Sequence, residues 1–282
     1  MPSMVAIGSI NLDIVATAPR LPTSGAKVTD AVLTRYPGGG AANQALAARR
    51  LGADVALMGR VGQDADADAA LALLRESGVD LSGVAALPDA ATGVALIAVA
   101  ANGENQIVVA PGANLQLASA SLDLPDVDAL LSEHVAPGDA VSRAVGRFEG
   151  FTCVTLATTQ EVDDAVLRHA DLIVVNESEA AWYGEGLASR EGLVAKTFGA
   201  SGAALFRDGT EIARASPPAV SAVDTTGAGD SFTAALTVAL VEGQSYADAL
   251  HFACAAGAAA TQRNGAQPSL PTREEVDRLL RG

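Results

Sequence analysis

From Val223 to Phe232 the sequence reads Val-Asp-Thr-Thr-Gly-Ala-Gly-Asp-Ser-Phe and then enters an apolar run that extends to Val241. Gly227, Ala228 and Gly229 put small residues where a helix begins. Their backbone N–H groups can converge on one concavity backed by the positive end of the helix dipole, which makes an anion hole. Asp230 falls in the first turn, where the dipole is expected to keep its carboxylate ionised and within reach of a phosphoryl group held by those amides. This suits phosphoryl transfer. The transferred group is loose and metaphosphate-like, so the protein positions the reactants and neutralises charge on oxygen, while a carboxylate takes the proton of the attacking alcohol. Alone, Asp230 would be an ordinary acid at a helix start; the glycines around it favour the catalytic reading. Two other phosphate-binding patterns are missing. Gly8 is followed by Ser-Ile-Asn-Leu-Asp instead of the G-x-G-x-x-G of a dinucleotide fold, and no G-x-x-x-x-G-K-[ST] loop occurs.

The elements that must position this motif alternate along the chain. Short apolar runs (Val5 to Gly8, Val55 to Met58, Phe151 to Leu156, Leu172 to Val175, Leu193 to Phe198, Ala203 to Phe206) alternate with longer amphipathic segments. That is the pattern of an α/β fold, a doubly wound, mostly parallel sheet with helices on both faces. Gly38 to Gly40 opens a helix that runs through Asn43 and Arg50 to Gly52; Asp64 can cap the next, which Gly78 ends. Residues 14–36 and 92–109 lack helical spacing and are rich in Val, Thr and Ala, so they are expected to form a small β lid outside the main sheet. The C-terminal third reads as helices over Asp230 to Val241, Tyr246 to Gln262 and Arg273 to Leu280. Pro268 and Pro271 mark an extended turn before the last. No repeat or linker divides the 282 residues, and a single domain is expected.

Composition excludes several classes. A net charge of −15 opposes general binding to nucleic acid or anionic membranes, which need a basic field. No apolar run approaches the roughly 20 residues of a membrane span, and the N-terminus carries no export signal pattern. Cys153 and Cys254, the two cysteines, read as buried thiols in a reducing cytoplasm. His134, His169 and His251 show no metal-ligand spacing. Trp182 and Tyr183 read as packing residues that follow a helix, and Lys196 is a candidate phosphate contact.

Four ordered blocks then give the chain a resemblance to the ribokinase branch of the PfkB sugar-kinase family: Gly8-Ser-Ile-Asn-Leu-Asp13, Gly38-Gly-Gly-Ala-Ala-Asn-Gln44, Thr225 to Phe232, and Gly265-Ala-Gln-Pro-Ser269. The resemblance runs over nearly the whole chain and implies ATP-dependent phosphorylation of the primary hydroxyl of a sugar, most simply ribose or a related pentose. It implies sugar contacts at Asn11, Asp13, Gly39, Gly40 and Asn43, with Asp230 as base at the anion hole. Asn176 and Glu179 resemble an N-x-x-E element, which implies Asn176 near the ATP phosphates and Glu179 acting through the hydration shell of Mg²⁺. Thr197, Gly199 and Gly202 resemble the loop around ATP. Asp224, the carbonyls of Thr226, Ala260, Arg263 and Gly265, and the Ser269 hydroxyl resemble a site for K⁺, a hard cation that suits oxygen donors.

Against the family pattern, this chain has Gly40 where ribokinases usually carry lysine, and either Glu133 or Val135 where they carry a sugar-contacting glutamate. The stretch from Asn176 to Thr197 is about one helix shorter than in relatives. The loss of bulk at Gly40 leaves a nucleoside or another furanose as an alternative acceptor. A silent sugar- or nucleotide-binding regulator is the alternative of another class, opposed by the intact run from Gly227 to Asp230. Exposed edges of lid strands are expected to pair two copies into a homodimer.

Overall fold

The computed structural model describes residues 1–117, 122–134, 140–188 and 190–282. Its strands are β1 (Ser3–Ile7), β2 (Asn11–Ala18), β3 (Val32–Gly38), β4 (Asp54–Gly62), β5 (Asp80–Leu87), β6 (Gly93–Ala100), β7 (Asn105–Ala110), β8 (Ala129–Glu133), β9 (Phe151–Thr155), β10 (Leu172–Asn176), β11 (Leu193–Thr197), β12 (Ala203–Arg207) and β13 (Thr210–Ala215). The helices are α1 (Gly40–Arg50), α2 (Ala65–Glu76), α3 (Ala140–Val145), α4 (Asp164–His169), α5 (Glu177–Tyr183), α6 (Glu185–Ala188), α7 (Ala228–Val241), α8 (Tyr246–Ala260), α9 (Ala266–Ser269) and α10 (Arg273–Arg281).

Among the described residues the main sheet has nine strands in the order β13-β12-β11-β10-β9-β8-β1-β4-β5, parallel from β5 to β11 and antiparallel for β12 and β13. Alternate residues of one strand feed different cores, because side chains in a strand point to opposite faces. Met4 and Ala6 join the cluster under α1, α2, α7 and α8, whereas Val5 and Ile7 join the one under α3 and α4. Helices therefore cover both faces. From β1 the chain winds outward through β4 to β5 on one side and through β8 to β11 on the other. The strand order thus reverses between β1 and β8, and a crevice opens beyond their carboxyl ends.

A second sheet of four strands, in the order β3-β2-β6-β7, stands apart from the first. It spans Asn11 to Gly38, wider than the spacing predicts, and Gly93 to Ala110, shifted by one residue from the prediction; residues 19–31 form no strand. Asn11 and Asp13, expected as sugar contacts, lie on β2 of this small sheet. Gly8 at φ 150° breaks the run between the two strands. Other boundaries also move. Val55 to Met58 extends to Gly62, and β5 and β13 carry too few buried residues to have been read from alternation. Trp182 and Tyr183 end α5 instead of following it.

The two helices that carry the glycine motifs are deeply buried. Ala41 to Ala48 of α1 are all buried, as are Ser231 to Ala239 of α7, which explains why neither has a strongly two-faced pattern. The Gly- and Ala-rich α8 packs against α7: a Cβ on Gly257 would come 3.3 Å from the Ala228 carbonyl. Gln267 and Pro268, expected in an extended turn, form the single helical turn α9. α10 begins with a capping box between Thr272 and Glu275.

Candidate active site

The crevice at the reversal point is built from glycine backbone and carboxylates. Gly39 caps α1 at φ 91°, a left-handed conformation that favours glycine, and a Cβ there would meet the Ser9 carbonyl at 2.7 Å. A Cβ on Gly40 would overlap the Glu133 carboxylate, which would have to move to admit a side chain there. Glu133, at the end of β8, is held there by the Ser9 hydroxyl, by the Ser9 N–H at 3.2 Å and by the Ala41 N–H at 3.2 Å. The structure thus brings Glu133 into the site; Val135, the alternative from the sequence, lies outside the described residues. It also removes the open space expected at Gly40, since Glu133 fills it.

Asp230 lies in the first turn of α7, facing α1. Its Oδ2 accepts from Asn43 Nδ2 at 2.8 Å and its Oδ1 from Gln44 Nε2 at 3.3 Å; Gln44 also donates to Thr155 Oγ1 at 3.2 Å. The helix terminus was expected to keep Asp230 ionised, but burial first, then the charges of Glu133 and Asp13, push its pKa up to about 7 against the two amide donors. Burial likewise raises Asp13 to about 6 and lifts Glu133 above the usual range. A dipole is a partial charge whose effect falls off within a turn, whereas burial and two neighbouring carboxylates act on Asp230 directly.

The anion hole is also smaller than three consecutive amides. Gly227, at φ 79°, turns the chain into α7, and the Ala228 N–H donates back to the Thr225 carbonyl at 3.2 Å. Gly229 and Asp230 keep the N–H groups of the helix tip without an intrahelical acceptor, and a Cβ on Gly229 would meet open space. Beside this tip lies a cavity of about 510 Å³. The loop Thr197, Gly199 and Gly202 forms one wall; Phe232, Cys254 and Gly257 of the two packed helices form another. The lining is mainly apolar, as suits a flat heterocycle with its charged end toward Gly229.

Asn176 stands at the end of β10, in register with Thr197, but does not line the cavity. It caps α5 in a capping box: its N–H donates to Glu179 Oε2 at 2.7 Å, and the Glu179 N–H donates to its Oδ1 at 2.9 Å. Lys196 points away from the cavity, with its ammonium 4.7 Å from the centre of the Phe206 ring, so it is no phosphate contact in this arrangement. Asp224 ties two segments together. Its Oδ1 accepts from Thr226 N at 2.9 Å and Oγ1 at 2.7 Å, and its Oδ2 accepts from Gly265 N at 2.8 Å. Burial would raise Asp224, but these bonds outweigh it and hold the carboxyl below its usual range. Thr226, Gly265 and Ser269 are brought beside it, Ser269 Oγ donating to the Ala266 carbonyl at 2.8 Å. Ala260 ends α8, and Arg263 pairs with Glu275 at 3.1 Å. This oxygen-rich turn suits a hard monovalent ion. Among the described residues no group of three or more His, Cys, Asp or Glu is placed to hold a metal.

Sequence reasoning missed Ser9, Gln44 and Asn114. Asn43 and Gln44 carried a signal, as the polar pair in an otherwise Ala- and Leu-rich buried stretch. Cys153 and Cys254 are free, and burial raises their thiols to about 12 and about 11. His134 is buried, its Nε2 3.0 Å from the Glu161 carbonyl, while His169 and His251 are exposed.

A doubly wound sheet whose reversal point holds a carboxylate at a helix tip, between a polar crevice and an apolar cavity, is an arrangement suited to phosphoryl transfer to an alcohol. The sequence profile described as "pfkB family carbohydrate kinase" matches residues 1–273. The chain belongs to this family. It is 35% identical to a ribokinase of Bacillus subtilis, over 99% of this chain and 100% of that one. Among solved structures, ribokinase of Thermotoga maritima superposes with a TM-score of 0.90 at 28% identity, covering 100% of both chains. Arabidopsis thaliana ribokinase complexed with ribose and ATP does so with 0.86 at 30%, covering 100% of this chain and 99% of that one.

Proposed function

We propose that the chain transfers the γ-phosphoryl group of ATP to the primary hydroxyl of ribose, with Asp230 as the base. The observation that carries this reading is the position of Asp230, between the Asn43 and Gln44 amides on the crevice side and the free N–H groups at the tip of α7 on the cavity side. The sugar would lie in the crevice against Asn11, Asp13, Gly39, Gly40, Asn43 and Glu133. ATP would occupy the apolar cavity along Thr197, Gly199 and Gly202, with its phosphates at the Gly229 and Asp230 N–H groups beside the turn of Gly227 and Ala228, and Asn176 toward the rim. The acceptor hydroxyl gives its proton to Asp230 as it attacks in line, and the amides at the helix tip stabilise the charge on the transferred group.

Mg²⁺ would travel with the nucleotide phosphates and neutralise their charge, with Glu179 reaching it through water. K⁺ would sit at the turn formed by Asp224, Thr226, Ala260, Arg263, Gly265 and Ser269. The small sheet acts in this reading as a lid of a single kinase unit, closing over the sugar to exclude water and prevent wasteful ATP hydrolysis. Its outer face would pair two copies into a homodimer. Two buried free thiols suit a cytoplasmic enzyme, and among the described residues no helix is long and apolar enough to cross a membrane. Likeness to ribokinases supports ribose over a nucleoside, as does Glu133 filling the space at Gly40.

The test is ADP release with Mg²⁺-ATP and K⁺ across ribose, deoxyribose, fructose and nucleosides. Ribose is expected to turn over, and Asp230→Asn to lower kcat by about 10² to 10⁴ with little change in ATP affinity. Turnover with a nucleoside in preference to ribose would replace the acceptor. Binding of a sugar without any turnover would make the chain a regulator.

A further inference from the structure

Asn114 lies in the short 3₁₀ turn Gly112–Gln116 after β7 and is buried against the start of β2. Its Oδ1 accepts the Ile10 N–H at 3.0 Å; its Nδ2 donates to the Ile10 carbonyl at 3.2 Å and to Asn11 Oδ1 at 2.8 Å. A backbone N–H can only donate, so Ile10 dictates which end of the Asn114 amide faces it. The nitrogen end of Asn114 is then fixed, and Asn11 must turn its own oxygen to meet it. What Asn11 leaves for the crevice is its Nδ2, which has no protein partner among the described residues. The arrangement has no slack, since a Cβ on Gly93, the register partner of Asn11 in β6, would overlap both Asn11 Oδ1 and Asn114 Nδ2. Asp13, two residues along β2, shares this face and offers oxygen.

We propose that Asn114 is a positioning residue that sets Asn11 as a hydrogen-bond donor toward the acceptor sugar, so that the crevice selects a substrate oxygen able to accept at that point. This rests on the reading of the crevice as the sugar site. The polarity passes from a backbone amide through two side chains, and none of the three groups can reverse without opposing two oxygens or two N–H groups. Burial makes such a mismatch expensive, because an unsatisfied polar group away from water forfeits its hydration.

The test uses the full chain, Asn114→Asp, Asn11→Ala and the double variant. An aspartate keeps the shape and the bond from Ile10 N–H but sets oxygen against the Ile10 carbonyl and Asn11 Oδ1. Each single variant is expected to raise the KM for ribose about tenfold, and the double variant no further, with kcat and the KM for ATP held within about twofold. Equal rises in both KM values, or effects that multiply in the double variant, would overturn the proposal, since a merely structural residue acts on both sites. A second arm needs no substrate. In side-chain amide ¹⁵N–¹H spectra, the Asn114 protons are expected to exchange slowly and those of Asn11 fast. The reverse order overturns the proposal even if ribose proves not to be the acceptor, and failure of ribose alone overturns only the choice of acceptor.

Discussion

At the scale of single residues, the site gathers three carboxyls, Asp13, Glu133 and Asp230, of which Glu133 is held by the Ser9 hydroxyl and backbone amides and Asp230 by two side-chain amides. With a pKa of about 7, Asp230 in its proposed role as base is matched to work near neutrality. It must be ionised to accept the proton, so kcat/KM for the sugar is expected to fall as the pH drops below about 7. Glu133→Gln removes a negative neighbour and should move this acid limb toward lower pH, by several tenths of a unit or more, apart from any loss of sugar affinity. A pH profile of kcat/KM for both forms checks it, and a limb that stays in place would remove Glu133 from the electrostatics of the base. The same shift bears on stability. The folded chain holds the Asp230 proton up to about 7, against a usual value of 3.8, so this group lowers stability progressively as pH rises through that window. Asp230→Asn should therefore raise Tm by a few degrees at pH 8 and leave it unchanged at pH 4, an instance of catalytic placement opposing stability.

At the scale of elements, two helix tips and one turn converge. The loop before α7 and the turn before α9 are joined by one carboxylate, Asp224, through three donors. The turn is packed in addition against the small sheet: a Cβ on Gly265 would come 2.6 Å from the Tyr36 ring of β3. An ion held at this turn would fix the geometry of Gly227 and, through it, the amides at the tip of α7. Asp224→Ala should consequently abolish activation by K⁺ and reduce the K⁺-supported rate several-fold; initial rates with and without K⁺ at constant ionic strength check both. If the wild-type rate never depends on a monovalent ion, Asp224 is a tie between segments and no more.

At the scale of the whole molecule, the small sheet contributes one face to the crevice and leaves the other bare. Register puts Leu33, Leu96 and Val108 on the face opposite to Asn11 and Asp13, and all three are exposed, Val108 at 65%. Sedimentation velocity is expected to show a dimer, and Val108→Lys to shift it to a monomer, since a charge in a paired apolar face has no partner. A monomeric wild-type chain would leave the sheet a lid alone.

The main sheet, the buried helices and Asp230 were legible from residue order because they rest on local rules: apolar periodicity, glycine at a helix start, an acid in the first turn. The four ordered motifs added the substrate contacts by resemblance. What sequence could not give was long-range. Asn11 and Asp13 belong to the second sheet because the backbone breaks at Gly8. Glu133 occupies the space at Gly40 because β8 pairs with β1 across 120-odd residues of chain, a register no local pattern encodes. Asn114 looked like an ordinary turn residue until packing buried it beside an amide, and the partner of Gln44, the Asp230 carboxylate, lies 186 residues away in sequence. The ionisation of Asp230 was misjudged for the same reason: a helix dipole is written in the local sequence, whereas desolvation and the charges of Glu133 and Asp13 exist only once the chain has closed around them.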